Sequence, residues 1–390
     1  MMTHLSSAVD QLLTLGDDNR HPASAIIGVR TSAGTDVAAG GWARLPAAGA
    51  PGVPMTIDLD LDLASVTKVA STTALTMRLV AEGELDLAAP VQRYLPDFRG
   101  EGKDDVTLEQ LLTHTAGLRA WWPLYLETSD RDTALQWAQT LPLDLPPGTA
   151  WQYSDLGLIL AGIVIERVTS LELAEAFRSL IAEPLGLSAG YGPRPAAETA
   201  TSSDSDAYEF AMIATGIPYP VPFAVDQFAG WRDYPLRGQV NDGNAAHALG
   251  GVAGHAGLFA TVEELLILGA ALREGDFVPG PVLTRFATPT PIHPEQAVGF
   301  RRSTRPTPDG ELTLLGHGGF TGTWFGIGLE QELVIAGGAM RLHGTVGPVR
   351  RGTTDAREGL VTVVQIQDAL LDAGLAALST RPLAISPELP

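Results

Sequence analysis

At 390 residues the chain exceeds what one simple core holds, so two interlocked lobes are expected. Its 45% hydrophobic and 18% charged residues describe ordinary globular protein and exclude the disordered and fibrous classes. A formal charge of −20 argues against nucleic acid or an anionic membrane as partner, because the averaged surface field would repel both, and the lack of cysteine excludes disulfides, thiolate nucleophiles and cysteine-ligated zinc.

Residues 1–20 carry Asp10, Asp17 and Asp18 where a signal peptide would have a basic region and an apolar run. No later stretch reaches the roughly 18 uninterrupted apolar residues of a membrane span, so a cytoplasmic protein is expected. Two β-rich runs, 25–29 and 37–39, flank Ser32-Ala33-Gly34-Thr35 and predict a hairpin that starts an antiparallel sheet. After a Pro/Gly-rich loop at 47–54, apolar residues recur at spacings of three and four from Val66 to Ala81, predicting a long core-facing helix from Ser65 that ends at Gly83.

From about 85 to 190 the pattern is helical. Thr107 and Gln110 form a capping box, and 155–169 and 171–181 are apolar-periodic. Residues 190–244 are rich in Pro, Gly, Ser, Asp and aromatics and predict an irregular excursion: a lid, a pocket wall or an oligomer contact. A glycine-rich run, 249–257, lacks the spacing of a dinucleotide site and leads into a second capping box, Thr261 with Glu264, and a helix to about Arg273. Strands are predicted at 312–315, 323–329 and 333–340, and a helix at 355–378. The order of strands, helices, strands and helix, without βαβ alternation or repeats, predicts an α+β fold.

Ser65-Val66-Thr67-Lys68 places a hydroxyl and an amine three residues apart at the head of a helix, where they share a face and can meet. There the serine N–H is free to face a developing oxyanion, and the positive helix end favours an alkoxide and a deprotonated lysine. Burial of Lys68 would lower its pKa and make it a base near neutrality. The bland alternative is a capping serine beside a surface lysine.

The company this pattern keeps points further. Asp62-Leu63-Ala64-Ser65-Val66-Thr67-Lys68, Tyr94-Leu95-Pro96-Asp97-Phe98, the stretch 111–118, Tyr153-Ser154-Asp155 and His317-Gly318-Gly319 occur in an order that resembles the β-lactamase and penicillin-binding-protein superfamily, especially its class C β-lactamase and family VIII esterase branch. Gly251-Val252-Ala253-Gly254-His255-Ala256-Gly257-Leu258-Phe259 is similar to a run in β-lactamase-related hydrolases. The resemblance spans about residues 25–340 and implies a β-lactamase/transpeptidase-like fold, an antiparallel sheet flanked by helices. Residues 1–80 and 245–390 would form the sheet lobe, with a mainly helical lobe, 81–244, inserted. It further implies Ser65 as nucleophile, Lys68 and Tyr153 as proton-handling partners, and the N–H groups of Ser65 and Phe320 as an oxyanion hole. Asp155, His317, Gly318 and Gly319 would contact substrate, the two glycines admitting close backbone approach.

Two departures bear on the substrate. Asp155 replaces an expected Asn, an amide exchanged for an acceptor-only carboxylate that either holds Lys68 protonated or repels an anionic substrate. The third motif lacks Lys and the following hydroxyl residue that help hold a substrate carboxylate in the family. A neutral ester or amide is therefore expected, cleaved by a carboxylesterase or amide hydrolase through an acyl-enzyme, without metal or organic cofactor. A D-alanyl-D-alanine carboxypeptidase or β-lactamase is the alternative, and a non-catalytic acyl-binding module a third. The partners are a small-molecule ester, amide or peptide; the oligomeric state stays open.

His317 reads as a cationic electrophile, a hydrogen-bond donor to substrate or a satisfied strand histidine. His255 is expected to be structural, and His247 and His255, eight apart without a third ligand, do not form a zinc site. His114 and Thr115 would organise a helix end, and Trp121-Trp122 would pack in the core or stack on substrate.

Overall fold

The computed structural model describes residues 4–17, 20–275, 277–307, 310–349 and 358–379. Its centre is a seven-stranded antiparallel sheet of β1 (Ser24–Thr31), β2 (Gly34–Arg44), β3 (Val53–Pro54), β4 (Arg301–Thr307), β5 (Gly310–Gly318), β6 (Thr323–Gly328) and β7 (Leu333–Ala339), in the spatial order β3-β2-β1-β7-β6-β5-β4. The helices that matter most are α1 (His4–Leu13), α2 (Asp155–Thr169), α3 (Val262–Glu274) and α4 (Val363–Ser379).

The expected hairpin is present as β1 and β2, with Thr31 opposite Gly34. β1 then pairs with β7, Ala25 opposite Ala339, so the two ends of the sequence share one sheet. Side chains alternate across the pleat. Ala25, Ile27, Val29, Leu333, Ile335 and Ala339 face one side, where α1 and α4 pack, while Ile26, Val334 and Ala336 face the other, where α3 packs. Leu5, Ala8, Val9 and Leu12 form the buried stripe of α1. Full burial of each large aliphatic stabilises by about 1.5–3 kcal/mol, which fixes this helix on the sheet.

Between β3 and β4 the chain leaves the sheet. Helix Leu108–Leu112 opens with the predicted capping box, and α2 is buried continuously from Leu156 to Ile165, a helix apolar on all sides because it runs through an interior. Strand Leu61–Asp62 pairs with Leu258–Ala260 and ties the start of the Ser65 segment to the glycine-rich run. The excursion 190–244 is more ordered than its composition suggests. It holds helix Ala207–Thr215 and a strand pair, Thr201–Ser203 with Leu236–Arg237. Buried Asp206 receives Arg232 through several hydrogen bonds, and the same guanidinium donates to the carbonyls of Val240 and Asn241. The order is tertiary in origin.

The predicted closing helix begins at Val363; the expected residues 355–357 lie outside the described ones. Among the described residues no helix is long and apolar enough to cross a membrane.

Candidate active site

Ser65 does not head a regular α-helix. It sits in a turn of 3₁₀ helix, Ala64–Val66, followed by a π-helical stretch, Lys68–Thr73, before the α-helix Ala74–Ala81. The entry is strained: Ala64 adopts φ 45°, a left-handed conformation that costs a residue with a Cβ roughly 1–2 kcal/mol. Buried Asp62 holds it there, accepting the Ala64 N–H at 2.9 Å and the Asn241 N–H at 2.6 Å. Burial pushes the Asp62 carboxyl up to about 6 against the pull of those two N–H groups. The wide turns are pinned by threonines: Thr73 Oγ1 donates to Lys68 O at 2.7 Å and Thr72 Oγ1 to Gly254 O at 2.6 Å. π-Helical turns of this kind concentrate at functional sites.

The side chains of positions 65, 68 and 153 converge. Lys68 Nζ lies 2.8 Å from Ser65 Oγ, and Tyr153 Oη lies 3.2 Å from the same oxygen, while Ser65 itself stays half-buried. Lys68 is 1% exposed. Its other partners are Asp155 Oδ1 at 2.8 Å and the carbonyl of His255 at 3.2 Å. Burial alone would depress the amine, but the Asp155 carboxylate and the Tyr153 oxygen outweigh it and hold Lys68 above the ordinary lysine range. The expectation of a lysine made basic by desolvation is thus corrected: the resting amine is a buried cation because a half-buried carboxylate, Asp155, sits against it. Tyr153 is raised, chiefly by burial, with Lys68 pulling the other way.

Tyr153 and Asp155 straddle the start of α2. Ser154 caps that helix, accepting from Gly157 N, and donates to Arg119 O at 2.7 Å. His114 supports the same point: its Nδ1 accepts the Ser154 N–H at 3.1 Å and its ring lies 4.7 Å from that of Tyr153. Burial, with His317 and Lys68 nearby, keeps His114 well below the usual histidine range, so it serves as a neutral acceptor. The expected organising role becomes a specific one, holding the backbone that carries Tyr153.

β5 and β6 both pack on the 3₁₀ turn of Ser65. Their connection, Gly319 to Gly322, closes as a tight turn, Gly322 N to Gly319 O at 2.9 Å, which leaves the Phe320 amide outside the turn's own bond. Thr321 Oγ1 donates to Asp62 O at 2.9 Å and Thr323 Oγ1 to Leu63 O at 3.0 Å, so this turn is latched to the residues just before the serine. A Cβ on Gly319 would stand 2.6 Å from Leu63 O, which is why glycine is needed there. Gly318 sits against Val363.

His317, on β5, lies beside Tyr153, ring centroids 5.9 Å apart. Its Nδ1 is 2.7 Å from Gly318 O, and Nε2 is buried without a hydrogen-bond partner. Burial, with the Lys68 cation, pushes its pKa down to about 3, so the resting ring is neutral. The proton bonded to Gly318 O makes Nε2 an acceptor and not a donor. Beside it opens a cleft of about 640 Å³ walled by Trp151, Tyr153, Arg301, His317 and the first turns of α4.

Trp121 and Trp122 are buried in the core; Tyr219 of the excursion stacks on Trp121, centroids 6.4 Å apart. His247 and His255 go to different carboxylates, Asp206 at 3.1 Å and Asp242 at 3.0 Å. The sequence reading assigned no role to Asp62, Asp242, Thr72 or Thr323. Asp62 stood inside the motif string and was the one legible signal, a carboxylate three residues before a serine in an apolar stretch.

The family described as Beta-lactamase matches residues 9–357. N-acetylmuramyl-L-alanine amidase of Bacillus subtilis (strain 168) is 28% identical over 295 residues, 67% of this chain and 63% of its own length, so the chain spans less than two thirds of that relative. A putative D-alanyl-D-alanine carboxypeptidase of Salmonella typhi is 28% identical over 312 residues, 73% of this chain and 70% of its own. Among solved structures, the D-amino acid amidase from Ochrobactrum anthropi SV3 aligns with a TM-score of 0.69 at 20% identity, covering 97% of this chain and 100% of that one. A penicillin-binding-protein homolog from Caulobacter crescentus aligns with a TM-score of 0.63 at 21% identity, covering 87% and 96%. Both likenesses are of fold.

Proposed function

Because this chain belongs to the beta-lactamase family of serine hydrolases, we propose that it cleaves small amides through an acyl-enzyme on Ser65. The observation that carries this reading is a half-buried hydroxyl bracketed by Lys68 Nζ at 2.8 Å and Tyr153 Oη at 3.2 Å. In the proposed reaction Ser65 Oγ bonds to the carbonyl carbon while its proton passes to the Lys68–Tyr153 pair. The N–H groups of Ser65 and Phe320 receive the oxyanion. Tyr153 then protonates the leaving nitrogen as the C–N bond breaks, and water releases the acid by the reverse sequence.

The names of the relatives, amidase and carboxypeptidase, describe amide cleavage, which favours an amide over an ester. His317-Gly318-Gly319 offers no hydroxyl to a substrate carboxylate, which weighs toward neutral amides over peptides ending in a free acid.

The test is a panel of D- and L-amino-acid amides, a short-chain p-nitrophenyl ester and a fluorescent penicillin, run on wild type and Ser65→Ala. Amide turnover that Ser65→Ala abolishes supports the proposal. Ester turnover alone would move the assignment to a carboxylesterase. Stable penicillin labelling with no turnover would make the protein an acyl-binding module.

A further inference from the structure

The glycine-rich run 249–257 has a role that its composition does not announce. Its tip is a tight turn in which Ala253 and Ala256 exchange backbone hydrogen bonds, and it is wedged between two elements of the site. On one side Gly254 presses on α2 so closely that a Cβ there would lie 2.0 Å from Leu158 O. On the other, three polar links reach the segment of Ser65: Gly254 O takes Thr72 Oγ1 at 2.6 Å, Leu258 N gives to Thr67 Oγ1 at 3.2 Å, and His255 O takes Lys68 Nζ at 3.2 Å. The His255 side chain, 1% exposed, turns away from solvent and places Nε2 3.0 Å from Asp242 Oδ1. Asp242 is in turn fixed as the cap of the helix Gly243–His247, accepting the Ala245 N–H at 2.8 Å.

An ammonium has three N–H donors, and Lys68 Nζ bonds Ser65 Oγ, Asp155 and His255 O, with the Tyr153 oxygen also close by. When Lys68 loses its proton, two N–H bonds and one lone pair remain. The lone pair addresses Ser65 when Asp155 and the His255 carbonyl take the other two positions. We propose that His255 and Asp242 are positioning residues for Lys68: their side-chain pair fixes the carbonyl that aims the lysine lone pair at the Ser65 hydroxyl. This rests on the acyl-enzyme reading above, and it gives the 251–259 motif a mechanical purpose. Neither side chain touches substrate; both act through the amine.

The test compares His255→Ala, His255→Gln and Asp242→Asn with wild type and Ser65→Ala, measuring steady-state amide hydrolysis and the rate of covalent labelling by a fluorescent phosphonate. Gln carries an N–H at the reach of Nε2, so it restores the link to Asp242. Asn at 242 keeps the helix cap and removes only the charge, which separates the pairing from folding. Expected are a loss in kcat and labelling rate of at least tenfold in His255→Ala with KM within about twofold, recovery to within about threefold in His255→Gln, and an intermediate loss in Asp242→Asn with an unchanged melt. Wild-type labelling by His255→Ala, equal defects in the Ala and Gln variants, or a loss confined to KM would each overturn the proposal. If Ser65→Ala still hydrolyses amide, the acyl-enzyme reading fails; if it is dead while His255→Ala is normal, only the present inference fails.

Discussion

Asp155, in the first turn of α2, sets the charge of the lysine beside it. With the carboxylate 2.8 Å from Nζ, Lys68 rests protonated. On the acyl-enzyme reading, acylation must then wait for a proton to leave, so kcat/KM should rise with pH. Asp155→Asn removes the group that holds the proton, and its rising limb should shift to lower pH by a unit or more. A pH profile identical to wild type would show that the charge on Lys68 does not govern acylation. Tyr153→Phe keeps the ring against His114 and loses only the hydroxyl; general acid–base groups contribute roughly 10²–10⁴-fold, so labelling should slow by about that range with no change in the melt. Wild-type rates in that variant would remove Tyr153 from the chemistry.

The elements divide by whether their cause is local. The Thr107 and Thr261 capping boxes, the β1–β2 turn and the periodic stretch of α2 were legible because each is written within a few neighbouring residues. So was the Ser65, Lys68 and Tyr153 set, through the order of its motifs. The π-helical turns after Lys68 were not, since periodicity read at three and four residues cannot see threonines that bond to Gly254 and to a widened backbone turn. Edge strand β4 and helix Ala207–Thr215 escaped for the same reason: β4 is largely polar and exists by pairing with β5, and the helix is held by packing and by the Asp206–Arg232 pair nearby. The β5–β6 turn belongs with them, because only its distance from Leu63 shows that glycine is compulsory. Gly319→Ala would set a methyl 2.1 Å from Thr323 Oγ1 and 2.6 Å from Leu63 O, pushing the turn off the serine. Labelling by the phosphonate should slow at least tenfold while circular dichroism stays native; an unaffected rate would mean that the turn does not form part of the oxyanion site.

Across the whole molecule, buried titratable groups make stability depend on pH from both sides. His114 and His317 are held neutral by burial, so the unfolded chain takes up protons from about pH 6.5 downward that the folded protein refuses, and stability falls on acidification. Asp204, held low against its own burial by His343 and the Gly344 N–H, contributes stability that is lost as pH drops through its folded value. Glu209 works in the opposite direction. Burial, with Asp242 beside it, pushes its carboxyl up to about 8, so the folded state keeps a proton that the unfolded chain has released and stability declines as pH rises toward that value. Glu209→Gln should therefore gain on wild type in melting temperature at about pH 9 and lose most of that gain at about pH 5. Parallel curves for the two proteins would exclude Glu209 as the source.

The pairing of β1 with β7 has a consequence for how the protein comes into being. Ser65 and Lys68 are translated before β5, β6 and β7, with the helical middle between them. A nascent chain thus carries the proposed nucleophile before it owns the turn proposed to receive an oxyanion, so on the acyl-enzyme reading acyl transfer stays silent until β5 and β6 have joined the sheet.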